Sequence, residues 1–228
     1  MIETALVTGA GRGIGKEVAR QLAERGMRVW VTARTREAAA AAATEVGGEP
    51  LVLDVTDPAS IDGAAAAVAD LDVLVNNAAS YPDWGATALT ADLDELEAAW
   101  RTNVVGPWLV TRAFVPALRR SPNPRIVTVT SGSGSHGDEQ FGLSSGPAMT
   151  PYAVTKAAAN AWTRKLAAEL PDMRVNAVDP GLTATAPGMA EMGARPVPEG
   201  AASVVWAAVL DQDGPTGGFF RDGVPHPW

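Results

Sequence analysis

Along this chain, short apolar runs of strand length alternate with longer segments whose apolar residues recur every three to four positions. Thr4 to Thr8 is the first run. Lys16 to Arg25 follows, with Val18, Ala19, Leu22 and Ala23 on one helical stripe, and Gly26 ends it. Met27 to Thr32 is the next strand, so the chain opens as strand, glycine turn, helix, strand. The alternation continues. Helices are expected over 36–46, 58–69, 91–120, 151–170 and 199–210, and strands over 50–54, 71–75, 125–130, 173–178 and 218–221. Gly47-Gly48 closes the alanine-rich second helix, and Asp57-Pro58 supplies the cap and first residue of the third. Gly106-Pro107 interrupts the 91–120 helix, which predicts a kink near Asn103. Such alternation predicts an α/β fold, a doubly wound and mostly parallel sheet with helices on both faces.

In sheets of this kind ligands gather at the carboxyl ends of the strands. The first such end carries Gly9-Ala-Gly11-Arg12-Gly13-Ile14-Gly15. Glycines here allow a tight turn, let backbone N–H groups approach a diphosphate, and let the helix pack close to the strand. The helix N-terminus adds donors and a favourable dipole. Where an acid would read a ribose 2′-hydroxyl, the second strand runs into Ala33-Arg34-Thr35-Arg36, with Arg12 nearby in the loop. Guanidinium groups suit a 2′-phosphate, so NADP(H) is expected over NAD(H); the plainer alternative is that Arg34 and Arg36 flank an exposed helix. Asp54 ends the third strand, either as an acceptor for the adenine amine or as a turn residue. Asn76-Asn77-Ala78-Ala79 ends the fourth, Ser131 the fifth and Pro180-Gly181 the sixth. Tyr152 and Lys156 lie four apart at the start of the 151–170 helix and so share one face. An ammonium beside the phenol is expected to pull its pKa down from about 10 and make it a usable proton donor near neutral pH.

Composition narrows the chemistry. The 228 residues fit one α/β domain, and 46% hydrophobic residues supply a core. A net charge of −8 argues against a nucleic-acid partner. The absence of cysteine excludes disulfides and thiolate chemistry, and two separated histidines, His136 and His226, are too few for a histidine-based zinc site, so no metal is expected. The first strand begins too early to leave room for a signal peptide and no apolar run reaches spanning length, so a cytoplasmic protein without membrane association is expected.

With these motifs in order, the chain resembles the short-chain dehydrogenase/reductase family over nearly its whole length. Thr8 through Gly15 resembles that family's cofactor loop, and Asn76 to Ala79 its Asn-Asn-Ala-Gly motif with Ala79 in place of glycine. Asn103, Ser131, and Tyr152 with Lys156 fall at the family's catalytic positions, and Pro180-Gly181 with Thr185 at its nicotinamide loop. Within the family, carbonyl-reductase-type members look most similar. The resemblance implies a single Rossmann-type domain over 1–228 with about seven strands, a homodimer or homotetramer, and a small carbonyl or alcohol substrate. It implies cofactor contacts from Thr8, Gly9, Gly11, Arg12, Gly13, Ile14, Gly15, Arg34, Asp54, Val55, Asn76, Ala78, Ala79, Tyr152, Lys156, Pro180, Gly181, Thr183 and Thr185. The stretch from Ser131 to Tyr152 is longer than the common form; its Gly- and Ser-rich residues 132–150 are expected to form a loop near the substrate entrance.

The implied reaction is reversible hydride transfer between nicotinamide C4 and a carbonyl or secondary alcohol. Tyr152 would donate the proton, Lys156 would hold the ribose and depress the phenol, Ser131 would hydrogen-bond the carbonyl oxygen, and Asn103 would hold a relay water. Thr130 or Ser133 replaces Ser131 if the register slips, and Asn103 has a rival reading as a kink-stabilising residue. Trp84, Phe141, Leu143 and Met189 are either pocket walls or ordinary packing. Two other functions use the same pattern: a nucleotide-bound isomerase or dehydratase, and a non-catalytic NADP sensor.

Overall fold

A computed structural model describes residues 2–228. Eight strands, β1 (Thr4–Val7), β2 (Arg28–Ala33), β3 (Glu49–Val52), β4 (Val73–Asn76), β5 (Arg125–Val129), β6 (Arg174–Val178), β7 (Phe219–Arg221) and β8 (Val224–Pro225), form one sheet. Their order is β3-β2-β1-β4-β5-β6-β7-β8, parallel from β3 to β7 and closed by the antiparallel β7–β8 pair. The order turns back between β1 and β4, the switch point at which such sheets bind ligands. The seven expected strands are present; β8 is a two-residue addition.

Alternation along the strands sorts the core onto the two faces. Ala5, Val7, Val31, Val75 and Val127 face α1 (Gly13–Glu24), α2 (Arg36–Val46) and α7 (Val197–Ala208). Leu6, Leu74, Ile126 and Val175 face the other way, toward α3 (Pro58–Ala67), α5 (Gly106–Leu118) and α6 (Thr150–Glu169). Capping follows the local sequence: Thr35 accepts from the Ala38 N–H at the start of α2, and Gly47 ends that helix in the left-handed region. None of the helices among the described residues is long and apolar enough to cross a membrane.

The expected 91–120 helix is divided. After α4 (Leu93–Trp100) comes one π-helical turn, Arg101–Val105, and then α5. Gly106 N–H reaches back five residues to the Arg101 carbonyl. Pro107 has no N–H to offer one turn back, so the ladder loosens just before it. The extra residue is absorbed as a bulge centred on Asn103, in place of a simple kink.

Candidate active site

The glycine loop is packed too tightly for side chains. Gly9 and Gly13 have positive φ (64° and 58°). A Cβ on Gly9 would lie 2.9 Å from the Ala78 Cα, and one on Gly15 2.3 Å from the Asn77 amide nitrogen. Thr8 explains this proximity: its hydroxyl accepts from the N–H groups of Asn77 (2.9 Å) and Ala78 (3.0 Å), while the Asn77 amide donates to the Thr8 carbonyl (2.8 Å). Thr8 and Asn77 therefore stitch the glycine loop to the end of β4. Arg12, at the N-cap of α1, makes no side-chain cap, so Gly13 and Ile14 open the helix toward the cleft.

Beside this loop, Gly11 approaches the Ala33 side chain at the end of β2, which is followed by exposed Arg34. Neither Arg12 nor Arg34 has a carboxylate partner among the described residues. Asp54 lies just past β3, and one of its oxygens accepts from both the N–H (2.8 Å) and the hydroxyl (2.7 Å) of Thr56, which favours the turn reading. Val55 is buried against Gly106. The Asn76 side chain likewise points at α5, donating to the Thr111 hydroxyl (3.0 Å). Val55 and Asn76 thus turn toward α5, while the Ala78 backbone runs close past Gly9.

Tyr152 and Lys156 lie one turn apart on α6, and both are buried. The Lys156 ammonium donates to the Val129 carbonyl (3.0 Å) and sits 5.6 Å from the centroid of the Tyr152 ring, over its face. Burial brings Lys156 down to about 8, against the pull of the Asp179 negative charge. The Tyr152 phenol moves opposite to expectation. Burial pushes it well above its ordinary value, the nearby Tyr81 and Asp179 add to this, and the hydrogen bond with Ser131 only partly offsets them. The expected depression by Lys156 fails because the ammonium faces the ring and a backbone carbonyl, not the phenol oxygen.

Of the three candidates, Ser131 is the one that acts on the Tyr152 phenol, favouring its ionised form. It also caps a 3₁₀ turn over Gly132–Gly134 by accepting from the Ser133 N–H (3.2 Å). Ser133 itself is buried, and the Thr130 hydroxyl is buried without a hydrogen-bond partner among the described residues. Asn103 has its side chain fully engaged: the oxygen accepts from the Ser80 N–H (2.8 Å), and the two amide hydrogens go to the Ser80 carbonyl (2.9 Å) and the Thr155 hydroxyl (3.0 Å). It ties the π turn to the loop after β4 and to α6.

The nicotinamide-type loop after β6 turns at Gly181, whose φ is 69°. The Pro180 carbonyl accepts from Arg195 (2.7 Å), and the buried Thr183 hydroxyl bonds back to the Gly181 carbonyl (3.0 Å). Thr185 is exposed and leans over the glycine loop, its methyl 3.6 Å from where a Gly13 Cβ would stand. Two features go beyond the sequence reading, which names Trp84 only as a pocket wall or ordinary packing. One is a stack of Tyr81 and Trp84 on the Tyr152 ring. The other is a charged network behind the site: Arg221 bonds Asp138 (2.9 Å) and Asp179 (2.9 Å), and the His226 ring lies 3.0 Å from Asp138. Asp138, Asp179 and His226 stand close enough to ligate a cation, but the Arg221 guanidinium already holds that place. Burial would raise the Asp138 carboxyl; the N–H groups of Phe141 and Gln140 and the Arg221 charge outweigh it and hold it low.

This network changes the picture of residues 132–150. Residues 132–135 are buried, a Cβ on Gly134 would collide with the α6 backbone, and Ser135 donates to the Pro227 carbonyl (2.7 Å). The N–H groups of His136 and Gly137 bond the Trp228 carbonyl. Residues 132–135 are thus body, not a free loop; beyond them 136–137, 139–140 and 144–148 stand exposed. His136 is exposed, Phe141 and Leu143 are half-buried in the same packed region, and Met189 accepts a weak contact from Thr185 (3.8 Å).

Known proteins resemble this chain in sequence and fold. A sequence profile described as "short chain dehydrogenase" matches residues 3–194. The chain belongs to the short-chain dehydrogenase/reductase family. It is 32% identical to a (+)-neomenthol dehydrogenase of Arabidopsis thaliana, over 95% of both chains. It is 34% identical to a 3-oxoacyl-[acyl-carrier-protein] reductase of Synechocystis, over 80% of this chain and 75% of the relative. Among solved structures, a short-chain dehydrogenase from Shigella flexneri complexed with NADP superposes with a TM-score of 0.82 at 25% identity, covering 96% of each chain. As a short-chain dehydrogenase/reductase, the protein is an oxidoreductase acting on carbonyl or alcohol groups.

Proposed function

We propose that this protein is an NADPH-dependent carbonyl reductase. The observation that carries the reading is Lys156 set against the face of the buried Tyr152 ring, with Ser131 acting on the same phenol, in a chain whose glycine loop and β2 end offer Arg12 and Arg34 without carboxylate partners among the described residues. The polypeptide fits a dinucleotide: crowded glycines at Gly9 and Gly15, the uncapped start of α1 for the diphosphate, and Arg12 with Arg34 for the 2′-phosphate. When bound, the nicotinamide supplies the hydride.

The protein's part is to place the carbonyl and deliver a proton. Ser131 and Tyr152 both donate to the substrate oxygen, and the Tyr152 proton moves to it as negative charge develops. Burial keeps the phenol protonated until that moment, so the resting site is set for reduction. Lys156 holds the ribose hydroxyls and returns the proton. Asn103 anchors Ser80 and Thr155, and its main-chain carbonyl, to which Pro107 offers no N–H, takes the relay water. Pro180, Gly181, Thr183 and Thr185 form the nicotinamide side.

The test is NADPH oxidation across a panel of ketones and aldehydes with the wild type and Tyr152→Phe. Turnover by the wild type and a loss of about a thousandfold or more in the variant are expected, the scale of a removed proton-transfer group. NADPH affinity should stay within a few-fold. Retained turnover in Tyr152→Phe would remove the phenol from the chemistry; tight NADPH binding without oxidation on any substrate would favour a sensor or a non-redox enzyme.

A further inference from the structure

Two aromatic side chains cover Tyr152, and the core does not require them. The Tyr81 and Tyr152 rings are 5.2 Å apart and 22° from parallel. Trp84 lies 6.1 Å from Tyr152 at 28°, and Tyr81 and Trp84 are 5.9 Å apart at 6°. Tyr152 is left 8% exposed, yet Tyr81 and Trp84 are themselves 52% and 49% exposed. Both residues therefore stand about half exposed while stacked on the ring that carries the reacting group, a cluster of exposed aromatic surface that packing alone does not explain.

The backbone beneath these rings is anchored. Asn103 grips both the N–H and the carbonyl of Ser80. The Trp84 carbonyl accepts from Met149 (3.2 Å) and the Ala86 carbonyl from Thr150 (3.1 Å), tying the loop to the start of α6. Access to Tyr152 thus comes from rotation of two side chains, each with two torsions, and not from movement of the loop. A groove of about 380 Å³ lined by Ser80, Pro82, Asp83, Glu95 and Ala98 lies alongside both rings.

We propose that Tyr81 and Trp84 are specificity-determining residues that select a flat, ring-containing ketone without negative charge. This rests on the reading of Tyr152 as the proton donor. A planar substrate regains, ring against ring, the stacking that Tyr152 gives up when the pair turns aside. A flexible acyl chain regains little of it and must be ordered as well. The carboxylates of Asp83 and Glu95 border the groove, so an anionic carrier such as a phosphorylated thioester is repelled.

Three probes distinguish the outcomes: 1-tetralone, 2-octanone and acetoacetyl-coenzyme A, each with NADPH and the full-length protein. The wild type should favour 1-tetralone over both others in kcat/KM. In Trp84→Ala and Tyr81→Ala the tetralone preference should shrink about tenfold, mainly through KM, as expected for one lost stacked contact. Trp84→Phe should restore most of it. Equal losses on 1-tetralone and 2-octanone, or a wild-type preference for either non-ring substrate, would overturn the proposal. If the wild type reduces none of the three, calorimetric titration of 1-tetralone into the NADP⁺-loaded protein decides. Binding that weakens about tenfold in Trp84→Ala would keep the aromatic wall while ending the reductase reading; no binding would end the wall as well.

Discussion

At Lys156 two opposing effects meet. Burial lowers its pKa to about 8, and the Asp179 charge resists that fall. The folded value lies below the unfolded one near 10.4, so the cost of the buried ammonium is carried in full below about pH 8 and is released as pH rises toward the unfolded value. Activity runs the other way, because the ammonium is the form that holds the ribose and returns the proton. We expect kcat/KM to descend above about pH 8, and Asp179→Asn to move that limb to lower pH. A pH–rate profile flat to pH 10 would remove the Lys156 charge from the mechanism. Arg34 supplies a second residue-scale prediction. Arg34→Asp should weaken NADPH binding by about tenfold to a hundredfold, the value of a hydrogen bond to a charged group, and leave NADH within threefold. Fluorescence titration of both nucleotides measures this, and equal losses would show that the 2′-phosphate is not read at that position. The pairing of Tyr152 with Lys156 was visible as a four-residue spacing. The direction of the phenol shift was not, because it depends first on how deeply the ring is buried, then on Tyr81 and Asp179, which are remote in sequence.

Among the elements, the 3₁₀ turn at Gly132–Gly134 and α6 set the distance from Ser131 to Tyr152. A Cβ on Gly134 would stand 2.5 Å from both the Ala157 nitrogen and the Lys156 carbonyl carbon. Those are backbone atoms of a long helix and cannot yield. Gly134→Ala should cost about 3 kcal/mol through overpacking, seen as a fall of roughly 6–12 °C in Tm, and should lower kcat as the Lys156 turn is displaced. Gly63→Ala is the control. Nothing lies within 4 Å of its added methyl, and as an exposed helical site it should gain about 0.5–1 kcal/mol. Similar Tm values for the two variants would mean that the turn does not hold α6. Strands and helices were legible because their apolar periods are local properties. The π turn was legible only as an interruption at Pro107, since its form depends on which carbonyl the Gly106 N–H finds.

For the whole molecule, Arg221 is the tie between distant segments: Asp138 from the long stretch before α6, Asp179 ahead of the nicotinamide-type loop, and the strand β7 that carries Arg221 itself. Asp138 and Asp179 are almost fully buried, so removing the guanidinium takes away the cation they share and leaves them backbone N–H groups, with the His226 ring beside Asp138. Arg221→Ala should cost about 3 kcal/mol, the lower end for breaking a buried pair because Arg221 is partly exposed, and should lower Tm by roughly 6–12 °C. Lys16→Ala, which breaks an exposed pair with Glu45, should change Tm by less than about 2 °C. Comparable small shifts in both, read by thermal unfolding, would reduce Arg221 to a surface ion. The doubly wound sheet, the glycine loop and the line of motifs from Thr8 to Thr185 were determined by the sequence itself, because strand length, helical period, turn residues and spacing along one helix act between near neighbours. Tertiary structure alone decided that Val55 and Asn76 turn their side chains into packing, that residues 132–135 belong to the body, and that Tyr81 and Trp84 stand over Tyr152. Each of these depends on contacts between segments far apart in the chain, and such contacts leave no period or spacing to read.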